Sequence, residues 1–228
     1  MIEIRFPDKS IRAYEMGISA LEIAQSISEG LARNVLSARF NDEIVEATTP
    51  LKENGDLQLF TWNDQEGKTA FWHSSAHILA QALLAIYPDC KLTIGPAIEN
   101  GFYYDADFGA HSLTENDLSE IEKKFLDFAR QKFPFKMRSV SKKKALNYYK
   151  ENNNQFKTEL IENLEDGSIT FCDHADFTDL CRGGHIPHTG FVKAIKLTNV
   201  AGAYWRGDET KPQLTRVYGI SFPKQKEL

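Results

Sequence analysis

The chain is short of cysteine, of long apolar runs and of basic charge, and each shortage excludes something. It holds 3 cysteines in 228 residues. An odd number without framework spacing excludes a disulfide scaffold and fits a reducing compartment. No apolar run approaches the roughly 20 residues that span a bilayer. The start, Met1-Ile2-Glu3-Ile4-Arg5-Phe6, lacks the basic-then-apolar order of a secretory signal. The expected setting is cytoplasmic, with no membrane partner. Net charge is −5, whereas a chain that holds nucleic acid by charge alone is basic. Residues 1–62 carry 6 Lys+Arg against 10 Asp+Glu, so any RNA partner is expected to draw most of its affinity from elsewhere. Internal repeats and low-complexity tracts are missing too.

What is present suits a soluble globular protein, 42% apolar and 26% charged, with room for one large domain or two small ones. The pattern predicts an α+β chain of two parts. In residues 1–62, Ile2 to Phe6 alternates as a half-buried strand does, Pro7 to Ser10 is a turn, and Ile11 to Tyr14 returns. Ser19 with Glu22 three residues on is a capping box that opens a short helix, ended by Gly30. Asn34 to Phe40 and Asp56 to Trp62 read as further strands. That order suggests a β-grasp (ubiquitin-like) domain, and it carries no catalytic constellation. Residues 63–68 read as a linker into a larger α+β domain, residues 63–228. There, helices are expected over Ala70 to Ile86, Thr114 to Lys132, Lys142 to Lys150 and Phe156 to Leu164. Strands are expected over Ile169 to Cys172, Phe191 to Leu197 and Gln213 to Phe222, without a βαβ rhythm.

The chemistry gathers in two pairs, His73 with His77 and Cys181 with His185, each spaced i, i+4. On a helix that spacing puts both side chains on one face. Three imidazoles and one thiol suit zinc by ligand type, and equally suit proton transfer or the holding of a polar substrate. A zinc-protease reading requires Glu directly after the first histidine; Ser74 stands there. In the segment Ile94 to Asp105, Gly95-Pro96 breaks structure and Asn100-Gly101 signals a tight turn. On an extended chain Tyr103 and Tyr104 point to opposite faces, one free to pack and the other to present its hydroxyl to a pocket. Spacing alone makes Lys142-Lys143-Lys144 a solvated helix start, Lys157 a surface lysine, and Cys90 and Cys172 small buried residues. His111, His174 and His188 have no partner spacing.

Four segments together resemble the N-terminal half of the bacterial threonyl-tRNA synthetases: His73-Ser74-Ser75-Ala76-His77, Ile94-Gly95-Pro96 through Tyr104-Asp105, Cys181-Arg182-Gly183-Gly184-His185, and Ala201-Gly202-Ala203-Tyr204-Trp205-Arg206-Gly207-Asp208. The resemblance implies a TGS domain in residues 1–62 and a tRNA-editing domain in residues 63–228. The two pairs are shared with alanyl-tRNA synthetases; the Ala201 to Asp208 block favours threonine. Gly184 departs from the family, many members of which carry proline there, and this is expected to loosen the turn between Cys181 and His185. The implied function is hydrolysis of the ester on mischarged seryl-tRNA. By the resemblance, His73 and Lys157 handle the water and the proton and Asp179 is the family's aspartate. His77, Tyr104, Cys181 and His185 shape the pocket for the seryl group. The implied partner is the acceptor end of threonine tRNA carrying serine. No cofactor is expected here, since ATP, magnesium and a zinc ion serve the family's catalytic core, through which the family also dimerises. The chain stops at Leu228 where the family continues, so a fragment that does not charge tRNA is expected. Two rival readings stay open. One is a zinc-dependent hydrolase of the alanine-editing type using His73, His77, Cys181 and His185. The other is a non-catalytic TGS-type RNA-binding module.

Overall fold

The computed structural model describes residues 1–228, apart from the side chain of Glu115. The N-terminal part comprises β1 (Ile2–Arg5), β2 (Ile11–Tyr14), α1 (Ala20–Ile27), α2 (Glu29–Ala32), β3 (Ser37–Phe40), β4 (Glu43–Glu46) and β5 (Gly55–Phe60). The strands form one sheet in the order β2-β1-β5-β3-β4. β1 and β5 run parallel and the remaining pairs antiparallel, which is the β-grasp arrangement. Ser19 and Glu22 form the expected capping box, so α1 starts where two of its first N–H groups find acceptors. Its apolar stripe, Ala20 and Ile23, packs on Ile2, Ile4, Ala38, Leu51 and Leu57 of the sheet side. β4 is a strand the pattern did not predict. It is short and charged at both ends, and lies at a sheet edge with Ile44 exposed.

The second part comprises α3 (Gln65–Ile86), β6 (Lys91–Leu92), β7 (Ala97–Ile98), β8 (Gly101–Asp107), α4 (Glu115–Arg130), β9 (Lys136–Ser139), α5 (Lys142–Glu151), α6 (Gln155–Glu162), β10 (Thr170–His174), β11 (Phe177–Leu180), β12 (Ala194–Tyr204) and β13 (Gln213–Phe222). Two antiparallel sheets result, β11-β10-β9 and β12-β13-β8-β6, with β7 folded onto β8. α3 is the spine of the domain. Phe71, Trp72, Ala76, Ile78, Leu79 and Leu83 are all buried along it, together with the polar Ser74, Ser75, His77 and Gln81, so the core covers nearly its whole circumference. Thr114 and Asp117 form the capping box at the start of α4.

Several expectations change. The first helix does not run to Gly30: α1 ends at Ile27 with Ser28 as its cap, and Gly30 lies inside α2. Residues 63–68 are not a free linker, because α3 already begins at Gln65. Gly67 is needed there for close approach rather than for flexibility: a Cβ on it would sit 2.0 Å from the Thr61 carbonyl oxygen. The strand expected over Phe191 to Leu197 starts later and runs on to Tyr204. Residues Thr189–Phe191 form a short 3-10 turn, and β12 passes an irregularity between Leu197 and Asn199 before pairing with β13 again. The Cys181 to His185 segment is not helical. Its two successive glycines, Gly183 at φ +101 and Gly184 at φ +94, fold it into a tight loop. That loop is not loose, since the Gly184 and His185 N–H groups each donate to Glu46 at 3.1 Å. No helix among the described residues is long and apolar enough to cross a membrane.

The two parts are packed together. Trp62 meets Phe71, Trp72 and Phe222 edge-on, and Arg39 pairs with Glu66 at 2.7 Å.

Candidate active site

The loop and the helix converge. His73 Nε2 lies 3.1 Å from Cys181 Sγ, and His185 Nε2 lies 3.4 Å from the same sulfur. The His73 and His185 rings stack at 4.9 Å, and His77 is 5.0 Å from His185. Ser74, in the place a zinc protease gives to its base, serves as a tether instead. Its hydroxyl donates to the Ala70 carbonyl and accepts the Ile186 N–H at 2.9 Å, fastening the loop to α3.

Beside this cluster lies a second one. Lys157 Nζ and Asp179 Oδ1 are 2.6 Å apart, with both side chains 3% exposed. The surface lysine expected from spacing is therefore buried. Its helix, α6, is started by Asn154, whose side-chain oxygen accepts the Lys157 N–H and whose amide donates to the Leu92 carbonyl. Asp179 is the hub of the cluster. It accepts from the Tyr104 hydroxyl at 2.8 Å, approaches the Tyr149 hydroxyl at 3.4 Å, and lies 3.2 Å from His77 Nδ1. The His77 contact is an ion pair by distance, without the alignment of a good hydrogen bond.

These groups set each other's charge. Burial pushes the Cys181 thiol up, but the charge of His77 and hydrogen bonds from His185 and His73 outweigh it and favour the thiolate. Burial opposes charge on His77 and is overcome by Cys181 and Asp179, which raise it. His185 is raised well above the usual range, its burial outweighed by hydrogen bonds with Cys172, Cys181 and Glu46. Burial holds the Asp179 carboxyl up, yet Lys157 and His77 bring it well below the ordinary carboxylate range. His73 alone of the three histidines is lowered, chiefly by burial. The site therefore favours one neutral imidazole among paired opposite charges.

Both clusters open on one cavity of about 420 Å³. His73, His77, Lys157, Asp179 and Cys181 line it, with Ile94 to Ala97 opposite. Tyr104 and His185 stand a layer behind, and Tyr104 ends on Asp179 rather than facing the cavity. Gly95 lets the Tyr104 ring come close, since a Cβ on it would sit 2.1 Å from Tyr104 Cδ2. Tyr103, on the other face of β8, stacks under Arg216 at 3.9 Å. Among the other histidines, His174 is buried between Phe135 and Phe177, and His188 caps the 3-10 turn. Sequence reasoning missed Asn154 and Tyr149 and the tether made by Ser74; Asn154 left a local signal, a capping residue three before Lys157, whereas the Ser74 and Tyr149 contacts appear only once distant segments meet.

His73, His77, Cys181 and His185 bring one donor atom each to within 4.8 Å of one another. Two imidazole Nδ1 atoms are backed by carboxylates, His77 by Asp179 and His185 by Glu46. Such backing is usual around zinc, so the donor set fits that ion.

Residues 2–61 match the TGS domain family. Residues 169–218 match the family described as the threonyl and alanyl tRNA synthetase second additional domain. Threonine–tRNA ligases from Flavobacterium johnsoniae, Flavobacterium psychrophilum and Parabacteroides distasonis are 62%, 59% and 50% identical to this chain across all of it. The chain is homologous from end to end to threonine–tRNA ligases and carries their TGS and editing domains. It spans 35% of the length of each of those ligases. The block shared with the threonine–tRNA ligase resemblance, Ala201 to Asp208, has a visible purpose here. Trp205 packs on Phe156 at 5.1 Å and donates to Glu159 at 2.8 Å. Arg206 and Lys211 pair with the same carboxylate. Lys157 sits between Phe156 and Glu159 in sequence, so this clamp fixes the helix that aims it.

Proposed function

We propose that this chain hydrolyses the ester that joins serine to the acceptor end of threonine tRNA. The observation that carries the reading is the buried Lys157–Asp179 pair opening on the same cavity wall as His73 and Cys181. Serine lacks one methyl of threonine, and a missing methyl gives only about 10–200-fold discrimination in a single pocket. A second site that admits serine and clashes with the extra methyl supplies the rest. Hydrolysis requires an oriented water, a stabilised oxyanion and a proton for the ribose oxygen.

His73 is assigned the water. A neutral imidazole that donates from Nε2 to the Cys181 sulfur leaves Nδ1 as its unprotonated nitrogen, which can take a proton from water. Lys157, oriented by Asp179, is assigned stabilisation of the developing charge and the proton for the leaving oxygen. His77 and Cys181 fix the polar groups of the substrate, with Tyr104 and His185 holding the layer behind. The net charge of −5 argues that most of the tRNA affinity comes from outside this chain. The decisive experiment is single-turnover deacylation of seryl- and threonyl-tRNA. Serine is expected to be released selectively, and His73→Ala and Lys157→Ala are each expected to slow release by about 10²–10⁴-fold. Equal hydrolysis of the two esters would sink the assignment.

The four clustered donors favour a second reading, in which His73, His77, Cys181 and His185 hold a zinc ion. When bound, such an ion activates a water by lowering its pKa. One equivalent of zinc in protein purified without added metal, with activity lost on chelation, would select this reading over the metal-free one.

A further inference from the structure

Glu46 belongs to the domain that holds no catalytic group, yet its side chain leaves that domain. It closes β4, and one oxygen, Oε1, meets three donors of the second domain. They are the Gly184 N–H at 3.1 Å, the His185 N–H at 3.1 Å and His185 Nδ1 at 2.7 Å. The two glycines at positive φ turn successive N–H groups to one side and so form a concave cradle for an anion. Glu46 fills that cradle. Its side chain is 14% exposed and that of His185 is fully buried, so losing the acceptor would strip three donors of their partner, with His185 Nδ1 left in a dry place.

The same contact settles which way His185 faces. With Nδ1–H committed to Glu46, Nε2 is the nitrogen directed at Cys181. The alternative acceptor, Cys172 Sγ, is 3.8 Å from Nδ1 and cannot replace a carboxylate oxygen at 2.7 Å. Stacking on Phe135 at 5.1 Å and on His73 at 4.9 Å holds the ring plane but leaves rotation within that plane to be fixed by Glu46. From His185 the constraint passes to the Cys181 sulfur and from there to His73.

We propose that Glu46 is a positioning residue for the editing site, through which the N-terminal β-grasp domain holds the Cys181–His185 loop and orients His185. The domain is then a working part of the site, and editing depends on the two domains staying docked. This rests on the hydrolase reading above.

The test compares Glu46→Ala, Glu46→Asp and Glu46→Gln in the whole chain, with chelator present, by single-turnover seryl-tRNA deacylation and by ¹⁵N NMR of the histidine rings. Misplacing a group of an active site by about 1 Å costs up to about 10²-fold in rate. Glu46→Ala is expected to show that loss and to shift the His185 Nδ1 signal, whose N–H then lacks its acceptor. Glu46→Gln keeps an oxygen at the same reach and is expected to recover most of the rate and the original ring signals. Glu46→Asp keeps the charge but draws the oxygen back by about 1.5 Å, one C–C bond, and is expected to resemble Glu46→Ala. The NMR readout survives failure of the hydrolase reading: if the wild type releases no serine, the ring signals alone decide the positioning role. Unchanged His185 signals in Glu46→Ala, or wild-type behaviour of Glu46→Asp, would overturn the proposal.

Discussion

The two domains use charge in opposite ways. In the β-grasp domain, Arg5 and Asp56 form an ion pair whose side chains are 59% and 58% exposed, over a core of Ile2, Ile4, Ile23 and Leu57. In the second domain, Lys157 and Asp179 pair with 3% exposed, and His77, His174 and His185 are buried around them. Removing two charges from water costs several kcal/mol per ion, and their mutual attraction rarely returns more than that. A fold that needed only stability would place apolar side chains there. Buried, mutually perturbed titratable groups at a cavity point instead to chemistry, and the N-terminal domain contributes to them only Glu46, whose side chain reaches across to His185.

The sharpest way to break this contrast is Asp179→Ala. It leaves Lys157 buried without its partner, along with the Tyr104 hydroxyl. Such a change is expected to destabilise the fold by about 3–5 kcal/mol and to abolish deacylation. Chemical denaturation and single-turnover rates measure the two effects. Adding Lys157→Met should restore part of the stability and none of the activity, because it removes the orphan charge but not the need for it. A stability loss that simply adds between the two variants would mean that the pair is not coupled.

Oxidation sharpens the contrast within the second domain. Burial pushes Cys90 up to about 12 and Cys172 up to about 11, whereas Cys181 favours the thiolate that oxidants attack. Cys181 also lines the cavity. Mild peroxide is expected to form a sulfenic acid at Cys181 first, with deacylation lost and far-UV circular dichroism unchanged. Mass spectrometry gives the order of modification; earlier oxidation of Cys90 or Cys172 would contradict it.

How much of this was legible in the sequence follows the range of the interaction. Short-range signals read true. Ser19 with Glu22 and Thr114 with Asp117 cap the helices they announce, and Asn100-Gly101 turns β7 into β8. Long-range ones were silent. Lys157 looks like any surface lysine because its partner Asp179 lies on another element. Glu46 contacts His185 across 139 residues, a distance no periodicity reports. The Cys181 and His185 spacing suggested a helix and belongs to a glycine loop, because i, i+4 fixes no conformation by itself. Family resemblance, not spacing, raised Lys157 and Asp179 to candidate site residues.

Acid separates the domains more gently. Residues 1–62 contain no histidine, while His174 is lowered to about 3, first by burial and then by the charges of His77 and His185. A histidine whose folded value lies below its unfolded value of about 6.5 binds fewer protons when folded. Its contribution is complete above pH 6.5 and declines as the pH falls towards 3. At pH 5 the loss is expected to reach about 2 kcal/mol. His174→Leu, packed between Phe135 and Phe177, should narrow the gap between denaturation midpoints at pH 7.5 and pH 5. An unchanged gap would show that His174 is not the acid-sensitive group.

The smallest effect belongs to the exposed pair. Arg5 and Asp56 lie opposite each other in the parallel register of β1 and β5, and Arg5 donates to Asp56 through both Nε and an Nη. That geometry would matter in a dry site. Here water solvates both groups, so losing one leaves the other in an environment it already tolerates. The strand pairing also survives, because β1 and β5 are joined through the backbones of Ile4, Arg5, Gly55 and Asp56. Asp56→Ala is therefore expected to leave the denaturation midpoint within measurement error at physiological salt, with deacylation unchanged. Raising the salt, which screens exposed charge, should remove what small difference exists. A destabilisation comparable to that of Asp179→Ala would mean that burial is not what separates the two pairs. The inference that buried charge marks the working domain would then lose its physical basis.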